Sequence, residues 1–402
     1  MLDDEQPTTT PAYRKARNPG SQSALRSRNQ QRITQQLLKG GASTQAELAR
    51  STGLSTATIS NIVKSMAAAD LVTLTPVTSS GRRAMSVRYN GDSAIAAGID
   101  FGRTHVRVVL ANTGYHLIAE EEAPLPRGHQ AVEGIQTASR LLDKLLKKAG
   151  ISRSQLIGAG AGIPGPIDSR SGKVIRGAIL PEWVGINLHR ELEQALKIPV
   201  FVDNDANLGA LAQLTWGDQG NVQNLMFIKI GTGIGSGLIL GGALFHGSFG
   251  VTGEIGHVTI DEQGVICRCG NRGCLETVAS TATMVELLSR GHEHPISTAD
   301  ILRQATSGDP ATLRVLDDAG MAIGRALANV ANLVSPDVIV IGGPLTELGE
   351  LFLAPIRRGL LRHAVPIIGA SIGLRMSQLT SRSEALGAAA LVFQNEPNSI
   401  IS

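Results

Sequence analysis

The 402-residue sequence predicts an α/β protein in two parts, a small basic helical domain carrying a β-hairpin and a larger module of two related lobes. Three observations predict it. Charge is divided unevenly, with 12 Lys/Arg and 5 Asp/Glu in residues 1–90 against 25 and 29 in the remainder. The basic part shows helix-period apolar runs broken by glycines, then two alternating runs. Beyond it, one strand, glycine turn, strand pattern occurs twice, from Ala96 and from Leu225. Length and composition agree: about 150 residues per domain gives two or three domains, and 42% apolar residues suffice for their cores. A charged fraction of 18% with a net charge of +3 excludes the disordered and supercharged classes. The longest apolar run, Leu225 to Gly247, is interrupted by Lys229 and several glycines, so no membrane partner is expected. The start MLDDEQP lacks the basic and apolar character of a secretory signal, and three cysteines cannot all pair internally. Together these point to a reducing cytoplasm.

The basic part is expected to comprise a mobile Pro/Thr-rich tail, residues 1–22, and a domain over residues 23–90. Ala24 to Lys39 places Leu25, Ile33, Leu37 and Leu38 at near-helical spacing and ends at Gly40-Gly41. Thr44 with Glu47 forms a capping box for a second helix that stops at Gly53. Ser55 can cap a third, to about Ala68, in which Ile59, Ile62, Val63 and Met66 point one way. Its remaining residues are short and polar. Leu71 to Val77 and Ala84 to Tyr89 then alternate, joined by residues 78–83 with Arg82 and Arg83 at the tip. This order is that of a winged helix-turn-helix. Ser55, Thr56, Thr58, Ser60, Asn61 and Lys64 would meet a major groove and the arginines a minor groove, so double-stranded DNA is the expected partner. The basic excess fits a polyanion. The other reading is a three-helix unit that merely packs on the rest of the protein.

In the module, each strand and glycine-turn pattern is followed by helical stretches such as Val132 to Ala149 and Thr281 to Arg290, as expected of α/β lobes with a ligand cleft between them. The glycine turns let backbone amides approach an anion closely, although a plain turn needs the same glycines. The sharpest signal is His257-x9-Cys267-x-Cys269-x4-Cys274, four soft or borderline ligands in one segment with Gly270 and Gly273 permitting a tight wrap. It reads as a closed structural zinc site worth on the order of 10 kcal/mol to local folding. The metal would fix Glu254 and Glu276 near one another. Asp203-Asn204-Asp205-Ala206-Asn207 follows the apolar run Ile198 to Val202, at a strand's carboxyl end where α/β clefts open. An Asp here serves a sugar hydroxyl as base or acceptor, or the cluster is an Asx-rich turn that caps the next helix.

These residues together resemble the ROK family of repressors and sugar kinases, over residues 24 to 395. The family pattern GExGH then CxCGxxGCLE reads here as Gly253-Glu254-Ile255-Gly256-His257 and Cys267 to Glu276. The resemblance implies an actin-like, ribonuclease H-like fold of the sugar-kinase type over residues 95–402. One lobe would span about 95–215 plus the C-terminal helix, the other about 216–380. It implies sugar contacts from Gly165, Asn204, Asp205, Glu254, His257 and Glu276, with Asp205 the catalytic base if the protein is a kinase. It places an ATP/Mg2+ site at Asp100, Gly102 and Thr104, at Gly231, Thr232 and Gly233, and at Gly342 and Gly343. Two departures bear on this. Family kinases carry DxGGT where this chain has Asp100-Phe101-Gly102-Arg103-Thr104, so an arginine stands where a glycine would admit the γ-phosphate. Gly177 stands near a position where related sites offer a polar side chain. The resulting expectation is a sugar-responsive repressor, a homodimer or homotetramer on an inverted-repeat operator, with domain angles changing near Asn90 to Ala94. The alternative is a sugar kinase with an appended DNA-binding domain.

Overall fold

The computed structural model describes residues 42–68, 71–79, 82–90, 94–168, 172–175, 180–217, 222–248, 250–290 and 293–395, with scattered positions between 25 and 37. The expectations for the tail 1–22, for most of the 90–94 linker, for Gly177 and for the side chains of Arg82 and Arg83 lie outside these residues. The chain divides into two compact units, Met1–Tyr89 and Asn90–Ser402. Among the described residues no helix is long and apolar enough to cross a membrane.

In the first unit, the described positions between Leu25 and Leu37 are helical (α1) and bury Ile33 and Leu37. Strand β1 (Ser43–Thr44) leads into α2 (Gln45–Thr52). Its capping box is reciprocal: the Glu47 amide donates to Thr44 Oγ1 at 3.3 Å, and Glu47 Oε2 accepts from the Thr44 amide at 2.7 Å. Helix α3 (Thr56–Ala68) starts where the Thr58 amide donates to Ser55 Oγ at 3.1 Å. Its stripe of Ile59, Ile62, Val63 and Met66 is buried, as are Leu48, Val72 and Val87. Strands β2 (Val72–Ser79) and β3 (Arg82–Tyr89) pair as far as Ser79 with Arg82, so the hairpin is longer than its apolar alternation suggests. Arg82 and Arg83 open β3 and do not sit in a six-residue loop. On its other edge β3 pairs with β1, a strand too short to leave any periodicity.

The second unit is built on two five-stranded sheets of like plan. In the first, β4 (Ile95–Phe101), β5 (His105–Asn112) and β6 (Leu117–Pro124) form an antiparallel meander; α4 (Ala131–Ala149), β7 (Leu156–Ile163), α5 (Leu188–Leu196) and β8 (Val200–Asn204) follow. The order is β6-β5-β4-β7-β8, with β7 parallel to β4 and β8 parallel to β7. Helix α6 (Asp205–Thr215) leads to the second meander, β9 (Leu225–Ile230), β10 (Ile234–Leu240) and β11 (Ala243–Leu244). After α7 (Glu276–Ala279), α8 (Thr281–Ser289), α9 (Thr298–Thr306) and α10 (Pro310–Val334), strand β12 (Val338–Gly342) joins parallel to β9. Then α11 (Glu350–His363), α12 (Pro366–Ser371), β13 (Gly373–Met376) and α13 (Ser383–Asn395) complete the unit. The second sheet runs β11-β10-β9-β12-β13, the same arrangement.

Aromatics are scarce, and backbone proximity takes the place of bulk in the centre. Helix α13 lies on the first sheet so closely that a Cβ at Gly98 or Gly160 would stand 1.9 Å from the carbonyl oxygen of Ala385 or Ala388. Helices α6 and α13 touch likewise, a Cβ at Gly387 falling 1.8 Å from the Leu208 carbonyl oxygen. At these distances a single methyl forces backbone apart. Most of the larger side chains sit outside this centre, Phe101, Leu142 and Trp183 between the first sheet and its outer helices and Ile323, Phe352 and Ile356 under the second; Phe227, against Gly209 of α6, is an exception.

Candidate functional site

A cavity of about 600 Å³ opens in the second unit where the ends of both sheets meet the first turns of α6 and α13. Asp205, at the first position of α6, faces it from a buried site. The two readings of the Asp203–Asn207 cluster divide by residue. Asp203 supports structure: Oδ1 accepts from the Asn204 amide at 2.7 Å and from Asn207 Nδ2 at 2.8 Å, and Oδ2 lies 2.7 Å from His246 Nε2. Asn204 caps the helix, accepting from the Ala206 amide at 2.8 Å, and its Nδ2 donates to the Gly165 carbonyl at 3.0 Å. Gly165 has φ 134°, a region open chiefly to glycine. Asn204 and Gly165 both line the cavity.

Asp205 Oδ2 is held at 2.8 Å by Lys229 Nζ, which also reaches Glu384 Oε1 at 3.2 Å. Burial raises the pKa of Asp205, with Lys229 opposing. Burial works against the Lys229 ammonium too, yet the facing Asp205, Glu384 and Asp100 hold its pKa well above the usual lysine value. Asp100 Oδ2 lies 3.3 Å from His105 Nε2, while its buried Oδ1 has no hydrogen-bond partner. Burial alone would raise Asp100, but Lys229 and His105 bring it below the usual carboxylate value. The His105 imidazole sits where a side chain on Gly102 would project, 2.1 Å from an ideal Cβ, and the Gly102 amide is spent on the His105 carbonyl at 2.9 Å. Arg103 and Thr104 stand exposed beside it, lining the cavity. Two features work against a magnesium–nucleotide here: the Gly102 amide is spent on the His105 carbonyl, and Asp205 and Glu384 already face an ammonium. Gly231, Thr232, Gly233 and Gly343 also line the cavity. Gly342 does not: a Cβ there would stand 2.3 Å from the Phe227 ring, so this glycine admits an aromatic neighbour in the core.

At the other end, His257, Cys267, Cys269 and Cys274 place their ligand atoms within 4.8 Å of one another. Cys269 Sγ and Cys274 Sγ are 3.7 Å apart, and Cys267 Sγ is 3.6 Å from His257 Nδ1. Zinc–sulfur bonds of about 2.3 Å at tetrahedral angles give edges of about 3.8 Å, so these residues fit zinc. The wrap depends on Gly273, at φ 62°, where a Cβ would fall 1.5 Å from the Asp261 carbonyl oxygen. His257 turns Nδ1 to the cysteines and Nε2 toward Glu254 Oε2, 3.8 Å away. Glu254 lines the cavity, its pKa raised by burial and by the Asp205 and Glu276 carboxylates against the pull of His257. Glu276, also lining it, is engaged on both oxygens: Oε1 by Arg268 Nε at 2.9 Å, Oε2 by Arg268 Nη2 at 2.9 Å and by the Ile234 amide at 3.0 Å. Arg268, between two of the cysteines, thus reaches back into the cavity. Lys229, Glu384, His105, Arg268 and His246 are absent from the sequence-based site. The available signal was Lys229, a lone charge in the otherwise apolar Leu225–Ile230 strand.

The polar residues expected on α3 differ in exposure. Ser55, Thr56, Asn61 and Lys64 are exposed; Thr58 and Ser60 are half-buried, and Thr58 Oγ1 pairs with Ser55 Oγ at 2.8 Å.

Comparison with known proteins places both units. The ROK family model matches residues 96–395, and a MarR family model matches residues 35–83. The xylose repressor of Caldicellulosiruptor bescii is 28% identical over 391 residues, covering 94% of this chain and 98% of the repressor. The glucokinase of Halalkalibacterium halodurans is 33% identical over 314 residues, covering 74% of this chain and 95% of the kinase. A crystal structure of a ROK family transcriptional regulator, described as a homologue of the Escherichia coli MLC protein, superposes with a TM-score of 0.74 at 26% identity over 94% of this chain and 98% of that one. With three-quarters of its length matched by that family's model and a DNA-binding segment ahead of it, the chain belongs to the ROK family.

Proposed function

We propose that the protein is a sugar-responsive transcriptional repressor. A DNA-binding domain over residues 23–90 binds the operator, and a ROK module over residues 95–402 binds a sugar or sugar derivative that changes operator affinity. The carrying observation is the joining of a MarR-type segment to a ROK module in one chain, the organisation matched end to end by the xylose repressor. In this reading Asn204, Asp205, Glu254, Glu276 and the Nε2 of His257 hydrogen-bond sugar hydroxyls, with Gly165 allowing close approach. His257, Cys267, Cys269 and Cys274 hold one structural zinc, which keeps His257 and Arg268 in place. Ser55, Thr56, Thr58, Ser60, Asn61 and Lys64 meet DNA in the major groove, and Arg82 and Arg83 reach it from the hairpin. A two-fold dimer or tetramer reads an inverted repeat whose half-sites lie about 34 Å, or multiples of it, apart. The protein acts in the cytoplasm, without a membrane partner. A sugar changes repression only by binding the DNA-competent and DNA-incompetent arrangements unequally.

A second reading, an ATP-dependent sugar kinase with a DNA-binding domain, is favoured by Asp205 in the cavity and by the 33% identity to a glucokinase. It requires Asp205 to take a hydroxyl proton while ion-paired to Lys229, and a nucleotide to enter beside Arg103 and His105. One experiment separates the two. Binding of the zinc-loaded protein to genomic fragments around its own gene is measured at fixed salt, with and without hexoses, N-acetylhexosamines and pentoses, while ADP formation is followed in the presence of Mg-ATP. The repressor reading expects one sugar to release the DNA with no ADP formed. ADP at kinase-like rates without a sugar effect on DNA overturns it.

A further inference from the structure

Building on the sugar-receptor reading, we propose that Lys229 is a tethered counterion standing in a divalent-cation position, so that the cavity holds its sugar with neither metal nor nucleotide. Three buried carboxylates reach this point from three elements: Asp100 from the end of β4, Asp205 from the start of α6 and Glu384 from the start of α13. Oxygen donors of this kind converging in a cleft are what hard divalent cations take. Here the cation is supplied by the chain. Lys229 Nζ lies 2.8 Å from Asp205 Oδ2 and 3.2 Å from Glu384 Oε1.

A second observation marks the position as more than an ion pair. Asp100 lines the cavity and is only 2% exposed, and its buried Oδ1 has no hydrogen-bond partner. Three carboxylates face one ammonium, with His105 against Asp100 and Arg107 acting on it from further off. The site thus keeps a spare acceptor, Asp100 Oδ1. An ammonium is a compact point charge on a flexible stem, able to occupy an ion's place while leaving one oxygen unserved. The ammonium and a bound cation exclude each other. With Lys229 in place, Asp205 remains a fixed acceptor for a sugar hydroxyl.

The test uses the zinc-loaded full-length chain and aqueous Mn2+, followed by the paramagnetic signal of the free ion. The wild type is expected to bind Mn2+ negligibly at millimolar concentration. Lys229→Met is expected to bind one Mn2+ at least about tenfold more tightly, and Lys229→Met with Asp100→Asn to lose that gain. The melting temperature of Lys229→Met should fall and recover on adding Mn2+ or Mg2+, whereas that of the wild type should not respond. Equal Mn2+ affinity in wild type and Lys229→Met overturns the proposal. Should Lys229→Met not fold, calorimetry on the wild type decides: sugar affinity should be the same with and without Mg2+, and a requirement for Mg2+ overturns the proposal. The Mn2+ measurement involves neither sugar nor DNA, so its failure is distinct from failure of the repressor reading.

Discussion

Arg268 and Glu276 supply a pair whose worth can be estimated and then measured. Two charge-assisted hydrogen bonds of 2.9 Å join them in a fork, and Glu276 is 8% exposed. Charge-assisted bonds contribute about 1.5–3 kcal/mol each when buried. The Arg268 side chain is 37% exposed, so solvent screens its share, and the pair together is worth about 1–2 kcal/mol. Arg268→Ala also strands Glu276 Oε1, while Oε2 keeps the Ile234 amide. The total cost is therefore about 2 kcal/mol, a fall of several degrees in the melting temperature of a unit this size. Glu276→Gln retains an acceptor for that amide and loses the charge. A double-mutant cycle between the two substitutions, by denaturant unfolding of protein with verified zinc content, should return a coupling of about 1–2 kcal/mol. A coupling under about 0.5 kcal/mol would show that the fork is screened away and that Glu276 is held by the backbone alone.

Cys274→Ser should abolish the binding of one zinc per chain, measured by atomic emission, and should destabilise the second unit more than Arg268→Ala does, since metal affinity here is folding energy. Wild-type zinc content and stability in that variant would exclude a closed four-ligand site. A pH dependence follows from His246, whose pKa is raised above the ordinary 6.5 by the Asp203 carboxylate against the effect of burial. Its contribution is complete below pH 6.5 and disappears as pH rises through the elevated folded value. Stability should decline over that interval, and less steeply in His246→Gln. The slope is reduced but not abolished, because His105, raised by Asp100 against burial, works in the same direction. Parallel slopes for the two proteins would remove His246 from the account.

Features written within a few residues of each other were legible before any coordinates. The capping box of Thr44 and Glu47, the Ser55 cap and the His257-to-Cys274 ligand set all rest on local spacing, and local geometry delivers them. The extent of the hairpin was less so, because Thr78 and Ser79 carry no apolar alternation although their backbones pair. The charge network was the least accessible. Lys229 meets partners 24 positions earlier and 155 later in the chain, and nothing in a single sequence couples Lys229 to Glu384. Gly342 shows the converse limit. A glycine after a strand reads equally well as a ligand turn or as room for a ring, and only the position of Phe227 decides.

The near-contact of α13 with β4 and β7 sets the timing of assembly. Ala96, Val109 and Ala111 of the first sheet are covered by Ala385, Leu386, Ala389 and Val392. During synthesis the first sheet is therefore made early and waits, one face bare, through the whole of the second meander and its helices. The element that finally covers it also delivers Glu384 to the cavity. Core closure and completion of the binding site are thus a single late event. A nascent or truncated chain stopping short of residue 383 would lack both, leaving a basic DNA-binding domain attached to a module unable to fold or respond.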